Sequence, residues 1–303
     1  MAHSDVILPA PATDELPVVR SISVDDLRDA LRRGMQDFWA MPTHVVFMCV
    51  IYPVIGLLLF RFIFVHNLLP LLYPVAAGFA LLGPFAAIGL YELSRRRELG
   101  MDTSWRHAFD VLYSPSLGPI VALGGFLLAL FGIWIAVANS IYMNYFGDRL
   151  LTAESPIAFV YEVLSTAEGH KLFIVGNAVG FVFALFAACV SVISFPLLLD
   201  RDVGLVVAAV TSVKVVLKNP VVMAIWFLIV AGVLFIGSLP LLVGLVVALP
   251  ILGHSTWHLY RKAVEPDDSP RPEYHPRPKY KRYGAEFPYS LFAPSSDKDE
   301  SSP

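Results

Sequence analysis

The chain has 303 residues, 56% of them apolar and only 16% charged, with a mean hydropathy of +0.66. A soluble domain is roughly 45–50% apolar and about 25% charged, so this composition excludes a pair of ordinary globular domains and describes a membrane protein. A net charge of -3 supplies no basic patch for nucleic acid, and two cysteines, Cys49 and Cys189, both in apolar stretches, exclude a disulfide framework or a cysteine zinc site.

The opening residues 1–22 read as a tail. Seven acidic residues precede the first apolar run, and no positively charged region leads into it, so no signal peptide is expected. Ser23-Val24-Asp25-Asp26 is a helix start signal followed by an amphipathic stretch, 27–41, that stops at Pro42. Runs free of Asp, Glu, Lys and Arg then occupy 38–60, 62–91, 111–147, 172–199 and 219–260. A membrane-spanning helix needs roughly 20 mainly apolar residues, because lipid cannot satisfy backbone groups and a helix satisfies its own. The last run is long enough for two spans, with Gly237-Ser238-Leu239-Pro240 as the break. Six helices are therefore expected, near 43–65, 69–93, 117–139, 172–198, 219–237 and 240–261. The apolar stretch 203–213 is too short to cross and reads as a helix lying in the interface. Residues 265–303, rich in Pro, read as a disordered tail, solvated or touching anionic headgroups through Lys279-Tyr280-Lys281-Arg282-Tyr283.

Lys and Arg stay on the cytoplasmic side of a membrane protein. With six spans, both termini and the segments 94–107 and 200–218 share one side, which holds 19 Lys and Arg, against 3 on the other. Both termini are expected in the cytoplasm, with 140–171 as the one long outer loop.

One unit recurs three times: a capped amphipathic segment, a proline and a two-helix hairpin. The units run 23–93, 102–199 and 202–262 within a membrane domain spanning 23–264. The fold expected is all-α and polytopic, with six transmembrane helices as three repeated hairpins, each preceded by an interfacial amphipathic helix. In the first and third units Arg95 and Arg261 lie eleven residues after Pro84 and Pro250, placed to snorkel to the cytoplasmic surface. Ala30-Leu31-Arg32-Arg33-Gly34, Gly89-Leu90-Tyr91-Glu92-Leu93-Ser94-Arg95-Arg96, Leu199-Asp200-Arg201-Asp202-Val203-Gly204 and Gly253-His254-Ser255-Thr256-Trp257-His258-Leu259-Tyr260-Arg261 resemble the bacterial integral membrane proteins of domain-of-unknown-function family 2189. The resemblance covers about 20–264; it implies an inner-membrane location and no established activity. A cytochrome oxidase label carried by some relatives does not suit this chain, since a haem–copper site needs several buried histidines and the spans offer His254, His258 and His44.

The residues able to carry chemistry sit at helix ends. His254 and His258, at i and i+4, share one face, the spacing by which two imidazoles bind a metal or haem, or shape a polar site. The plainer reading makes them hydrogen-bonded interfacial rings beside Trp257 and Tyr260. Glu92 can pair with Arg95 or Arg96 beside Tyr91, or line a proton or cation path, and Asp200-Arg201-Asp202 has the same two readings. Asn177 is expected to bond a neighbouring helix. No Walker loop, Gly-x-Ser-x-Gly elbow or His-Glu-x-x-His occurs, and no charge falls at the centre of a span. The expectation is a non-enzymatic scaffold or assembly partner of a membrane complex, bound to the bilayer, to another complex or to itself, and requiring no cofactor. The alternatives are a transporter or channel for a small or lipidic solute, and a haem or metal protein using His254 and His258.

Overall fold

The computed structural model describes residues 16–41, 50–65, 68–147, 156–240 and 242–267. The start of the expected first span, with His44 and Cys49, the middle of the expected outer loop and most of both tails lie outside them.

Every regular element among the described residues is helical. In chain order they are α1 (Val24–Ala40), α2 (Ile51–Val65), α3 (Leu72–Phe79), α4 (Gly83–Ala86), α5 (Ile88–Glu98), a 3-10 helix (Trp105–Tyr113), α6 (Leu117–Phe146), α7 (Pro156–Ser165), α8 (Ala167–Ser191), α9 (Ser194–Asp200), α10 (Gly204–Lys218), α11 (Pro220–Ser238) and α12 (Leu245–Ala263). Among the described residues four stretches are long and apolar enough to cross a membrane: Leu69–Glu98, Leu117–Phe146, Ala167–Asp200 and Pro220–Ser238. Six were expected from sequence. The first expected span is represented by the 15 residues of α2, and α12 carries His254, His258, Arg261 and Lys262 in its second half, which removes it from the apolar class.

Two of the four stretches are interrupted, each at a proline. A proline ring clashes with the carbonyl four residues earlier and offers no N–H to it. Pro84 stands four residues after Ala80, where the helix tightens to 3-10 over Ala80–Leu82. Pro196 stands four after Val192, where α8 gives way to α9. The second break is buried, and α10 satisfies it: Ser212 Oγ accepts from the Ile193 N–H at 3.2 Å and donates to the Cys189 carbonyl at 2.7 Å. Pro240 does not open the last helix. The chain turns through Leu242, at φ 67, and α12 begins at Leu245.

The amphipathic segments dock on helices distant from them in the chain or just before them. The 3-10 helix packs on α5, α10 packs on α8 and α9, and α1 lies along α12 in the most extensive helix contact of the molecule. Local signals set the start of α1: Ser23 and Asp26 form a capping box, with Asp26 Oδ2 accepting from the Ser23 N–H at 2.9 Å. The chain ahead of α1 is held by Asn219, which accepts from the Ile22 N–H at 2.8 Å and donates to the Arg20 carbonyl at 3.1 Å. Val19 pairs with Val264, so both described chain ends meet at one end of the bundle. The apolar core beneath them joins Leu127, Phe195, Trp226, Trp257 and Leu259.

The α1–α12 approach depends on a missing side chain. A Cβ on Gly34 would stand 2.0 Å from Ser255 Oγ and 2.6 Å from the Ser255 backbone nitrogen. Overpacking of this kind costs about 1–3 kcal/mol. Gly34→Ala is therefore expected to lower the thermal midpoint in detergent and to speed proteolysis ahead of α1, both readable on purified protein, while Gly118→Ala, which meets open space, leaves both unchanged.

Candidate functional site

The closing helices α5, α9 and α12 end together, and their polar residues bury one another. Glu92, Arg95, Arg96, Asp200, Arg201, His254 and His258 are each 9% exposed or less. A buried charge without a partner is costly, so the arrangement is best followed as pairs.

Glu92 and Arg95 pair within α5 at 3.3 Å, and Arg96 stands 3.7 Å from the same carboxylate. Arg96 is wholly buried and turns toward the 3-10 helix, where it donates to the Asp102 carbonyl at 2.8 Å and pairs with Asp110 at 3.0 Å. His107 backs Asp110 at 2.7 Å and Asp102 at 3.1 Å. Arg95 reaches toward Asp200 of α9, 3.9 Å away. Asp200 in turn accepts from the Tyr260 hydroxyl at 2.7 Å and from Arg261 at 3.5 Å. Arg261 also pairs with Glu98, at 3.0 Å, and the Trp257 ring N–H donates to the same carboxylate at 3.0 Å. Arg201 donates to the Glu265 carbonyl beyond α12. The helix that carries most of these groups closes on Gly100, at φ 67, with the Met101 N–H returning to the Arg96 carbonyl and the Gly100 N–H to that of Arg97, the Schellman pattern.

A second cluster joins α1. Asp37 of α1, 4% exposed, accepts from Ser94 Oγ at 2.6 Å and from His258 Nε2 at 2.9 Å, and pairs with Arg97. A carboxylate only accepts, so Ser94 gives its proton to Asp37 and His258 carries its proton on Nε2. Ser94 then accepts from His254 Nδ1, 2.7 Å away. The two imidazoles that sequence spacing placed on one face are thus engaged through different ring nitrogens with Asp37 and Ser94. Among the described residues no three His, Cys, Asp or Glu side chains gather as a metal would require.

The structure brings together nearly all of the expected candidates: Glu92, Arg95, Arg96, Asp200, Arg201, His254, Trp257, His258, Tyr260 and Arg261, with Tyr91 buried beside them. Asp202, two residues past Asp200, is half-buried. Sequence reading missed Asp37, Ser94, Glu98 and Asp110. Asp37 had a signal, being an acidic residue at the apolar end of an amphipathic stretch. Asn177 bonds a neighbouring helix as expected, accepting from the Tyr73 hydroxyl at 2.7 Å.

Burial pushes the Asp37 carboxyl up, but hydrogen bonds from His258 and Ser94 and the nearby imidazoles more than offset it, holding the group below the ordinary carboxylate range. A carboxyl depressed in the folded state contributes stability that is present above its unfolded pKa, near 3.9, and lost as pH falls through the lower folded value. Unfolding in detergent followed from pH 7 to pH 3 is expected to show a fall in midpoint below about pH 4 that Asp37→Asn abolishes. The same variant is expected to cost about 3 kcal/mol at pH 7, because Arg97 and His258 lose their anion.

No curated protein and no solved structure matches the chain significantly. Residues 72–200, which hold three of the four membrane-crossing stretches and the Glu92-to-Asp200 part of the network, match the family model of a predicted integral membrane protein (DUF2189), and the chain is an integral membrane protein with apolar helices.

Proposed function

We propose that this chain is a non-enzymatic accessory or assembly partner of a membrane complex, set in the bacterial inner membrane with both ends in the cytoplasm. One observation carries the reading. The ionisable side chains at the ends of α5, α9 and α12 face one another across 2.7–3.9 Å rather than a path through the bundle. Ionisable groups that serve transport or proton transfer line a water-filled cavity or a relay across the membrane, whereas a closed network fixes the relative positions of helices. Orientation follows from charge, since the network end carries the Arg-rich segments that favour the cytoplasm. The chain is read as three units whose leading segments are exchanged: each docks on the closing helix of another unit, the first on the last. A surface for a partner span is offered by α2, an apolar helix with Leu58 61%, Phe62 52% and Val65 64% exposed.

A second reading, transport of a small or lipidic solute, is favoured by the two interrupted helices, a feature of transporters. The readings separate experimentally. Purification in mild detergent is expected to recover a membrane subunit in constant ratio to this chain, and a strain lacking the chain is expected to accumulate less of that subunit's complex. Recovery of this chain alone, with every complex assembled normally, defeats the proposal. Glu92→Gln and Asp200→Asn are expected to lower stability without altering solute flux in vesicles; a change in flux at unchanged stability would instead favour transport.

A further inference from the structure

A groove of about 250 Å³ lies between α3, α6 and α8, away from the charged network. Tyr73 and Asn177 stand near the starts of the two interrupted stretches whose far ends, Glu92 to Glu98 and Asp200, form that network. The groove therefore occupies the opposite half of the bundle. Glycines make it: Gly176 faces open space, and Gly78 and Gly180 let the chain pass close to the Trp134 ring. Trp134 is held in place by donating to the Pro74 carbonyl at 2.9 Å and by packing on Phe183, ring centroids 5.6 Å apart. The mouth is formed by Tyr73 and Phe181, 61% and 66% exposed, on a surface that faces hydrocarbon in a membrane. A dry apolar cavity of about 150 Å³ holds a benzene ring, so this one admits a larger apolar body.

The polar groups at the mouth restrict what that body can carry. The Tyr73 hydroxyl has given its proton to Asn177 Oδ1, which leaves its oxygen as an acceptor. Asn177 has given one amide proton to the Phe173 carbonyl, which leaves the other as a donor. One acceptor and one donor side by side match a hydroxyl group, which both gives and takes a hydrogen bond. Among the described residues no charged side chain lines the groove, so an anionic headgroup has no counterpart there. We propose that the groove binds a membrane-soluble alcohol, an apolar chain or ring system with a single hydroxyl head, with the hydroxyl at Tyr73 and Asn177 and the apolar body against Trp134.

Trp134 reports on occupancy. The purified full chain in phosphatidylcholine nanodiscs, titrated with a dibrominated stearyl alcohol, is expected to show quenching that saturates and that disappears in Trp134→Phe. Gly176→Leu fills the groove from its open side and is expected to weaken the saturable phase about tenfold or more. Tyr73→Phe removes one hydrogen bond, and the methyl ether of the same probe cannot donate; each is expected to weaken binding about three- to tenfold. Quenching that rises linearly with probe and is equal in Gly176→Leu overturns the proposal, as does an ether that binds as tightly as the alcohol. A diazirine-bearing octadecanol mapped on the unmutated chain gives an independent reading that needs no variant to fold. Label concentrated at Tyr73, Trp134 and residues 176–184 supports the site, whereas label spread evenly over the exposed faces of α6, α8 and α11 overturns it.

Discussion

Charge taken out of water has to be met by charge or by hydrogen bonds, and at the closing end of this bundle that requirement organises the whole molecule. Glu92, Arg95, Arg96 and Asp200 are each buried to within a few per cent. Their partners come from four different parts of the chain: α5 itself, the 3-10 helix through Asp110, α9 through Asp200, and α12 through Tyr260 and Arg261. Removing any one element takes a partner from a buried ion, and a buried ion that loses its counterpart is far more costly than the loss of an apolar contact of similar size. The network gives positional uniqueness where the spans, packed in hydrocarbon, have little hydrophobic drive to choose one neighbour over another.

The order in which segments dock gives that uniqueness a direction. The 3-10 helix lies on α5, α10 on α8 and α9, and α1 completes the circuit on α12. Asp37 carries this last contact through His258 and ties α1 to α5 through Ser94. Lys262 adds an outer layer by pairing with Asp29 at 2.9 Å and Asp26 at 3.4 Å. The breaks at Ala80–Leu82 and at Val192 fit the same plan. They fall ahead of the segments that carry the network, and the buried break is tolerated because Ser212 supplies the hydrogen bonds that lipid cannot.

The two halves of the bundle therefore have different chemistry. One end is dense with paired ions, and Val19 meets Val264 there; the other holds neutral polar groups, Tyr73 and Asn177, beside aromatic rings and glycines. Away from the closing end, the opposite half presents exposed apolar surface and a groove.

Much of this was readable in the residues. Apolar runs without charges located the membrane stretches because hydrocarbon excludes unpaired ions, and the capping box at Ser23 and Asp26 marked the start of α1 because orphan N–H groups need an acceptor. The charged and aromatic residues at the ends of α5, α9 and α12 stood out as candidates for the same reason. What sequence could not decide was pairing. Glu92 has cations at helical spacing on its own helix, so its contacts are local and legible, but Asp37 finds Ser94 and His258, 57 and 221 residues away, and no local pattern encodes that choice. Four of the six expected spans are long and apolar enough among the described residues; α12 reads as apolar at its start and buries a polar half because α1, α5 and α9 supply its partners. Proline positions signalled both breaks, yet whether a proline interrupts a helix depends on what satisfies the freed backbone, and that is settled by neighbours that only the folded chain brings near.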